Sequence, residues 1–329
     1  MLQLMIFSVL AIAIAAALQL WKPACAIGQF GDRTHSTVLK GMAISGILLC
    51  HAAAILAPVG VARLLTPVGG IGVSIFLILS GYGLSESFQA TGLKHFWKKR
   101  FLGTYLPYLL ICLLTLSTRL QLSPKALLLD LLAIRPMAEY YWYIFYLSIW
   151  YVLFYGITRF VPGKWQNWLF LGCAAVLFFL LPELQAEQSL SFAAGVFLSR
   201  YRGKLVTKLS TWLGAALFLV GTALLAVKQI PAVRLFPAPL FTLLQLGIKL
   251  SVASALIILT WRGRKLLPTT AFARIGGYSY ELYLIHAYTI GILTWNFPKP
   301  VLSGLFLAAT GALAVAFGLL KKKFFKLGF

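Results

Sequence analysis

Residues 38–58 read Val38-Leu39-Lys40-Gly41-Met42-Ala43-Ile44-Ser45-Gly46-Ile47-Leu48-Leu49-Cys50-His51-Ala52-Ala53-Ala54-Ile55-Leu56-Ala57-Pro58. One lysine lies near the start and one histidine lies past the middle; almost everything else is apolar. A helix needs about 20 such residues to cross a bilayer. The stretch therefore predicts a membrane span with a basic residue at one edge and an imidazole inside.

The same pattern recurs in both directions. Apolar runs cover residues 2–21, 38–58, 68–88, 101–118, 141–158, 167–182, 189–199, 210–227, 240–261, 277–296 and 300–320. The chain has 329 residues, of which 60% are hydrophobic and only 11% charged. A soluble domain of that size needs far more polar surface. The expected fold class is an all-α, polytopic membrane helical bundle of about 10–11 transmembrane helices, with no room for a separate soluble domain. The run at 189–199 is too short to cross alone unless it extends into its flanks.

A net charge of +22 in a soluble protein would point to nucleic acid. Here the basic residues sit in short loops between apolar runs, and no nucleic acid is expected. With the N-terminus outside and the spans alternating, 21 of the 29 Lys and Arg residues fall inside and 7 outside, with Lys249 within a span. Such a bias is what cytoplasmic loops show, so the C-terminus is expected in the cytoplasm. The first run has no basic residue before it, and Lys22 follows it, the reverse of a signal peptide. It reads as a retained extra helix over 1–22, and residues 321–329 read as a basic cytoplasmic tail. The four cysteines form no CxxC pair, so neither a metal site nor a disulfide framework is expected.

Ionisable groups inside a bilayer are expensive, which makes each a functional candidate. His51 is the first. Lys40 precedes it by eleven residues, roughly 16 Å along a helix, so a lysine at the membrane edge lies below a buried histidine. Lys94, Lys98, Lys99 and Arg100 crowd the same edge. This arrangement suits an elongated anionic cofactor, with phosphates at the rim and the reactive end at His51. The plainer alternatives are positive-inside anchoring for the cations and an interhelical hydrogen bond for His51.

With these residues in hand, a resemblance becomes specific. Lys40, ten residues and His51 resemble the Arg/Lys–ten–His signature of the membrane acyltransferase-3 family, the O-acyltransferases of bacterial surface glycans. Phe76-Leu77-Ile78-Leu79-Ser80-Gly81-Tyr82 resembles its aromatic-rich span ending in Ser-Gly-aromatic. Lys99-Arg100-Phe101-Leu102-Gly103-Thr104-Tyr105-Leu106-Pro107-Tyr108 resembles its basic-to-proline segment. Ser279-Tyr280-Glu281-Leu282-Tyr283-Leu284-Ile285-His286 resembles its late Ser-Tyr…Tyr-Leu-x-His segment, and Trp142-Tyr143 and Phe192-Ala193-Ala194-Gly195-Val196 fit more weakly. The resemblance covers 37–320. Gly103 departs from it, standing where many members place a second arginine, and Lys40 loses the bidentate fork of the commoner arginine.

The resemblance implies transfer of an acyl group, usually acetyl, from cytosolic acetyl-CoA to a hydroxyl of a cell-surface or lipid-linked glycan, in the bacterial cytoplasmic membrane. Lys40, Lys99 and Arg100 would hold the phosphates of coenzyme A. His51 would act as general base or as nucleophile, and both readings stay open. His286 and Glu281 would support it; five residues apart, they do not share a helical face. Ser80, Tyr82 and Tyr105 are candidate donors near the thioester, and Glu139 with Trp142 could meet the glycan, although an aromatic belt at the interface explains them too. Expected partners are acyl-CoA, the glycan acceptor and the lipid bilayer; a glycan-synthesis partner or a second copy of the chain is compatible. The alternative from another class is a proton-coupled transporter or exporter of a glycan precursor, with His51, Glu281 and His286 as a relay.

Overall fold

The computed structural model describes residues 27–56, 65–119, 121–265, 269–292 and 298–326. The expected span at 2–21 lies outside the described residues. The described residues hold fifteen α-helices: α1 (Arg33–Leu56), α2 (Thr66–Thr91), α3 (Phe96–Arg100), α4 (Leu106–Leu114), α5 (Pro124–Leu131), α6 (Trp142–Phe160), α7 (Gly163–Leu180), α8 (Glu183–Ala186), α9 (Ser189–Arg200), α10 (Arg202–Leu205), α11 (Thr211–Gln229), α12 (Ala238–Arg262), α13 (Thr269–Gly277), α14 (Ser279–Ile292) and α15 (Lys299–Lys326). No strand occurs among the described residues. Five of these helices are long and apolar enough to cross a bilayer on length and composition alone: Arg33–Ile55, Pro67–Thr91, Thr211–Gln229, Ala238–Arg262 and Val301–Lys321. Of the others that match expected spans, α4, α9 and α14 are short, with 9, 12 and 14 residues.

Local chemistry sets several boundaries. Pro67 occupies the first turn of α2, where its missing N–H costs nothing. Ser210 caps α11 by accepting a hydrogen bond from the Leu213 amide at 3.0 Å. Between α3 and α4 the helix widens into a π-turn over Phe101–Tyr105, a form frequent at functional sites. It breaks the run expected as one span over 101–118. The basic tail begins as helix, since α15 runs on to Lys326.

The short run at 189–199 becomes α9, twelve residues long, or about 18 Å. The short helix α8 and a bend at Glu187–Gln188 precede it. The bend between them carries Glu187, buried and ion-paired with Lys249 of α12. Gln188 follows, accepting from Ser74 at 2.5 Å and donating to the Gly70 carbonyl at 3.1 Å. Lys249, the cation that the alternating topology leaves within a span, is thus paired where it is buried. α9 lies flush on α2: a methyl at Gly81 would collide with the Phe192 carbonyl, and one at Gly195 with the Ile78 carbonyl. Small residues permit such backbone contact in membrane helices.

Helix ends expected on one side of the membrane do meet. Glu86 pairs with Arg202 at 3.3 Å, Arg200 bonds Gln166 and Asn167 at 2.5 and 2.7 Å, and Lys321 pairs with Glu281. At the opposite end, Gln245 donates to Glu183 at 3.2 Å. The segment 119–140 is more than a loop there. Arg119, expected as a plain loop charge, is buried and paired with Asp130 at 2.6 Å. The Met137 amide donates to the same carboxylate at 2.6 Å, which folds the chain back toward α6.

Candidate active site

Residues 40, 47 and 51 fall on one face of α1, because steps of seven and four residues return close to the same angle on a helix. Lys40 and Ile47 line a cavity of about 200 Å³ that also takes in Ser80 of α2, Gly103 and Thr104 of the π-turn, and Tyr283 of α14. Lys40 is exposed at its mouth. Tyr143 and Tyr151 of α6 form the far wall. Thr104 Oγ1 lies 3.4 Å from the Tyr151 hydroxyl, and the Tyr280 hydroxyl donates to the Thr104 carbonyl at 2.5 Å. The π-turn thereby joins α6 to α14 around the cavity. Arg100 stands just outside, its guanidinium 5.6 Å from the Tyr151 ring centroid. Its Nε is buried and has no hydrogen-bond partner.

One helical turn beyond Ile47 stands His51. Its ring stacks on that of His286, with centroids 5.1 Å apart and planes inclined by 27°. Tyr140 meets His51 edge-on at 4.7 Å and lies 5.8 Å from His286. His51 is half-buried and His286 fully buried. His286 Nδ1 sits 2.5 Å from the Tyr283 carbonyl. A carbonyl only accepts, so Nδ1 is the donor in this contact.

The scaffold behind this group is a set of tyrosine hydroxyls donating to main-chain carbonyls. Tyr283 donates to Tyr140 and Tyr141 to Leu284, each at 2.6 Å. These two bonds lock the turn before α6 to α14. Ser303 of α15 donates to the Ala52 carbonyl at 3.0 Å, fixing the upper part of α1. Satisfied buried polar groups of this kind rigidify a site.

The residues singled out in the sequence divide into groups. Lys40 and Ser80 line the cavity with Arg100 beside it, while His51 and His286 stack on each other outside its lining. Tyr82 faces away from the cavity, and Arg202 donates to its hydroxyl at 3.3 Å. Tyr105 spends its hydroxyl on the Leu131 carbonyl at 2.6 Å. Lys99 is exposed and does not line the cavity. Glu281 is buried and ion-paired with Lys321, so its carboxylate is engaged away from the histidines. Glu139 is exposed, and Trp142 packs on Tyr143 and Tyr146. Sequence reasoning missed Tyr140, which sits between these two and reads there as one member of an aromatic belt. It also missed Thr104 and Tyr151. The π-turn that brings Thr104 inward has no signature in composition.

A family model described as an acyltransferase domain matches residues 36–322. No curated protein and no solved structure matches the chain. The matched range begins just before Lys40 and ends past Lys321, so it takes in every residue of the cavity and the histidine pair.

Proposed function

The chain belongs to the acyltransferase-3 family, and from that premise we propose that it moves an acyl group, acetyl first among candidates, from cytosolic acyl-CoA to a hydroxyl of a cell-surface or lipid-linked glycan. It is a multi-pass membrane protein, and the proposed location is the bacterial cytoplasmic membrane with the basic helix ends toward the cytosol. The single observation that carries this reading is a cavity that takes in Lys40 and Ile47, with the stacked His51 and His286 one helical turn beyond Ile47 and outside its lining.

Lys40 and Arg100 would take phosphate oxygens, and the unpartnered Arg100 Nε is a donor held ready for one. The acyl end would then lie toward Ile47 and His51. In transfer, the acceptor oxygen forms a bond to the thioester carbonyl carbon and the carbon–sulfur bond breaks. His51 takes the acceptor proton, which ends on the coenzyme A sulfur. A route through an acyl-His51 intermediate uses the same atoms in two steps. Ser80 lines the cavity, and a hydroxyl donor at the carbonyl oxygen, where charge would build, lowers the barrier. His286 would fix the plane of the His51 ring.

A proton relay through Glu281, as a transporter would need, gains no support, since Glu281 pairs with Lys321. The deciding experiment is coenzyme A release by the purified protein with acetyl-CoA and candidate glycans. His51→Ala should abolish release while still inserting in the membrane. Normal acetylation by that variant would overturn the mechanism.

A further inference from the structure

Helices α6 and α7 do not close on each other along their whole length. Between them runs a groove of about 510 Å³ lined by Ile149, Leu153, Trp168, Gly172, Cys173 and Val176, among others. It lies on the opposite face of α6 from the Tyr143 and Tyr151 wall, and no residue is common to the linings of the two cavities.

Three features define what fits it. On α7 the lining runs from Trp165 to Leu177, twelve residues or about 18 Å. The hydrocarbon core of a bilayer is about 30 Å thick, so the groove is one leaflet deep. Its hollow is built in: a methyl at Gly172 would meet nothing. One end is basic and aromatic. Lys164 Nζ lies 5.8 Å over the Trp165 ring, Arg159 is exposed at the last turn of α6, and no acidic residue occurs between them. Tryptophan marks the headgroup level, and basic sites between membrane helices take anionic headgroups.

We propose that this groove holds one acyl chain of an anionic phospholipid, drawn from the leaflet at the Arg159 and Lys164 end. Its phosphate is held by those two cations, and its chain lies along Gly172 toward Val176. The site is separate from the acyl-transfer cavity, and the proposal does not depend on the reaction catalysed there.

Native mass spectrometry of the purified full-length protein tests it, with phosphatidylglycerol and phosphatidylcholine of identical chains as probes. Wild type should retain one phosphatidylglycerol in preference to phosphatidylcholine. Replacing both cations (Arg159→Ala with Lys164→Ala) should cut that preference by about tenfold or more, given the contribution of each cation near a membrane surface. Gly172→Trp fills the hollow from outside and should lower retention of both lipids, while Gly172→Ala should not. Equal retention of the two lipids, in several copies and insensitive to Gly172→Trp, would mean general lipid solvation and overturn the proposal. So would a dimer mass that Gly172→Trp abolishes, since the groove would then belong to a second copy of the chain.

Discussion

His51 on α1 and His286 on α14, 235 residues apart in the chain, stack with ring centroids 5.1 Å apart. The two rings are not equivalent. His286 has one nitrogen committed to the Tyr283 carbonyl and is fully buried. His51 makes no such hydrogen bond among the described residues and is only half-buried. The proposed mechanism therefore assigns the fully buried ring to positioning and the half-buried ring to the chemical step.

This asymmetry separates two variants. His51→Ala should lower acyl transfer by at least about 100-fold, the lower range for loss of a general base. His286→Phe keeps an aromatic platform but removes both nitrogens. It should lower kcat while leaving KM for acyl-CoA unchanged, because His286 does not line the cavity. Initial rates against acyl-CoA concentration check this. An unchanged kcat in His286→Phe would reduce that residue to packing.

Lys40 should act on the donor and not on the chemical step. Lys40→Ala is expected to raise KM for acyl-CoA by about tenfold or more, as befits a hydrogen bond to a charged group, with kcat little changed. Lys40→Arg should restore it, since the charge is kept and a fork is gained. Raising ionic strength should narrow the gap between wild type and Lys40→Ala, because exposed charge pairs are screened.

The pair Lys249–Glu187 should govern stability. Both partners are buried, and removing one partner of such a pair costs about 3–5 kcal/mol. Lys249→Met alone should lower the unfolding temperature in detergent sharply. Adding Glu187→Gln should recover most of the loss, since no uncompensated charge then remains. Thermal unfolding of the three proteins measures this. A double variant no better than the single would mean that the bend at Glu187 needs the ion pair itself.

The bundle was legible because each span is an apolar run, and apolar runs are local. Lys40 and His51 were legible for the same reason, since helical spacing alone puts them on one face. The stacking of His51 on His286 was not, because it depends on how α14 docks on α1. Tyr140 was hidden inside an aromatic run with a sufficient interfacial explanation. The pairing of Glu187 with Lys249 was not legible either, because it depends on the bend between α8 and α9 that brings the two together across 62 residues of chain. Asp130 gave no signal either, because its partner Arg119 is eleven residues away across a turn.

Gly103 offers the sharpest test of where the donor lies. It lines the cavity in the π-turn beside Arg100, at the position where the family pattern resembled here often has arginine. A side chain there meets no steric obstacle, since a methyl at Gly103 would have nothing within 4 Å. The backbone does not require glycine either, because its φ is not in the left-handed region. Gly103→Arg should therefore fold normally and add a cation to the phosphate end of the cavity. The expected result is a lower KM for acyl-CoA, by several-fold at low salt and less at high salt. Gly103→Glu should raise KM through repulsion while leaving the unfolding temperature unchanged. If Gly103→Arg and Gly103→Glu shift KM in the same direction, the change is steric, and the phosphates of the donor do not lie against the π-turn.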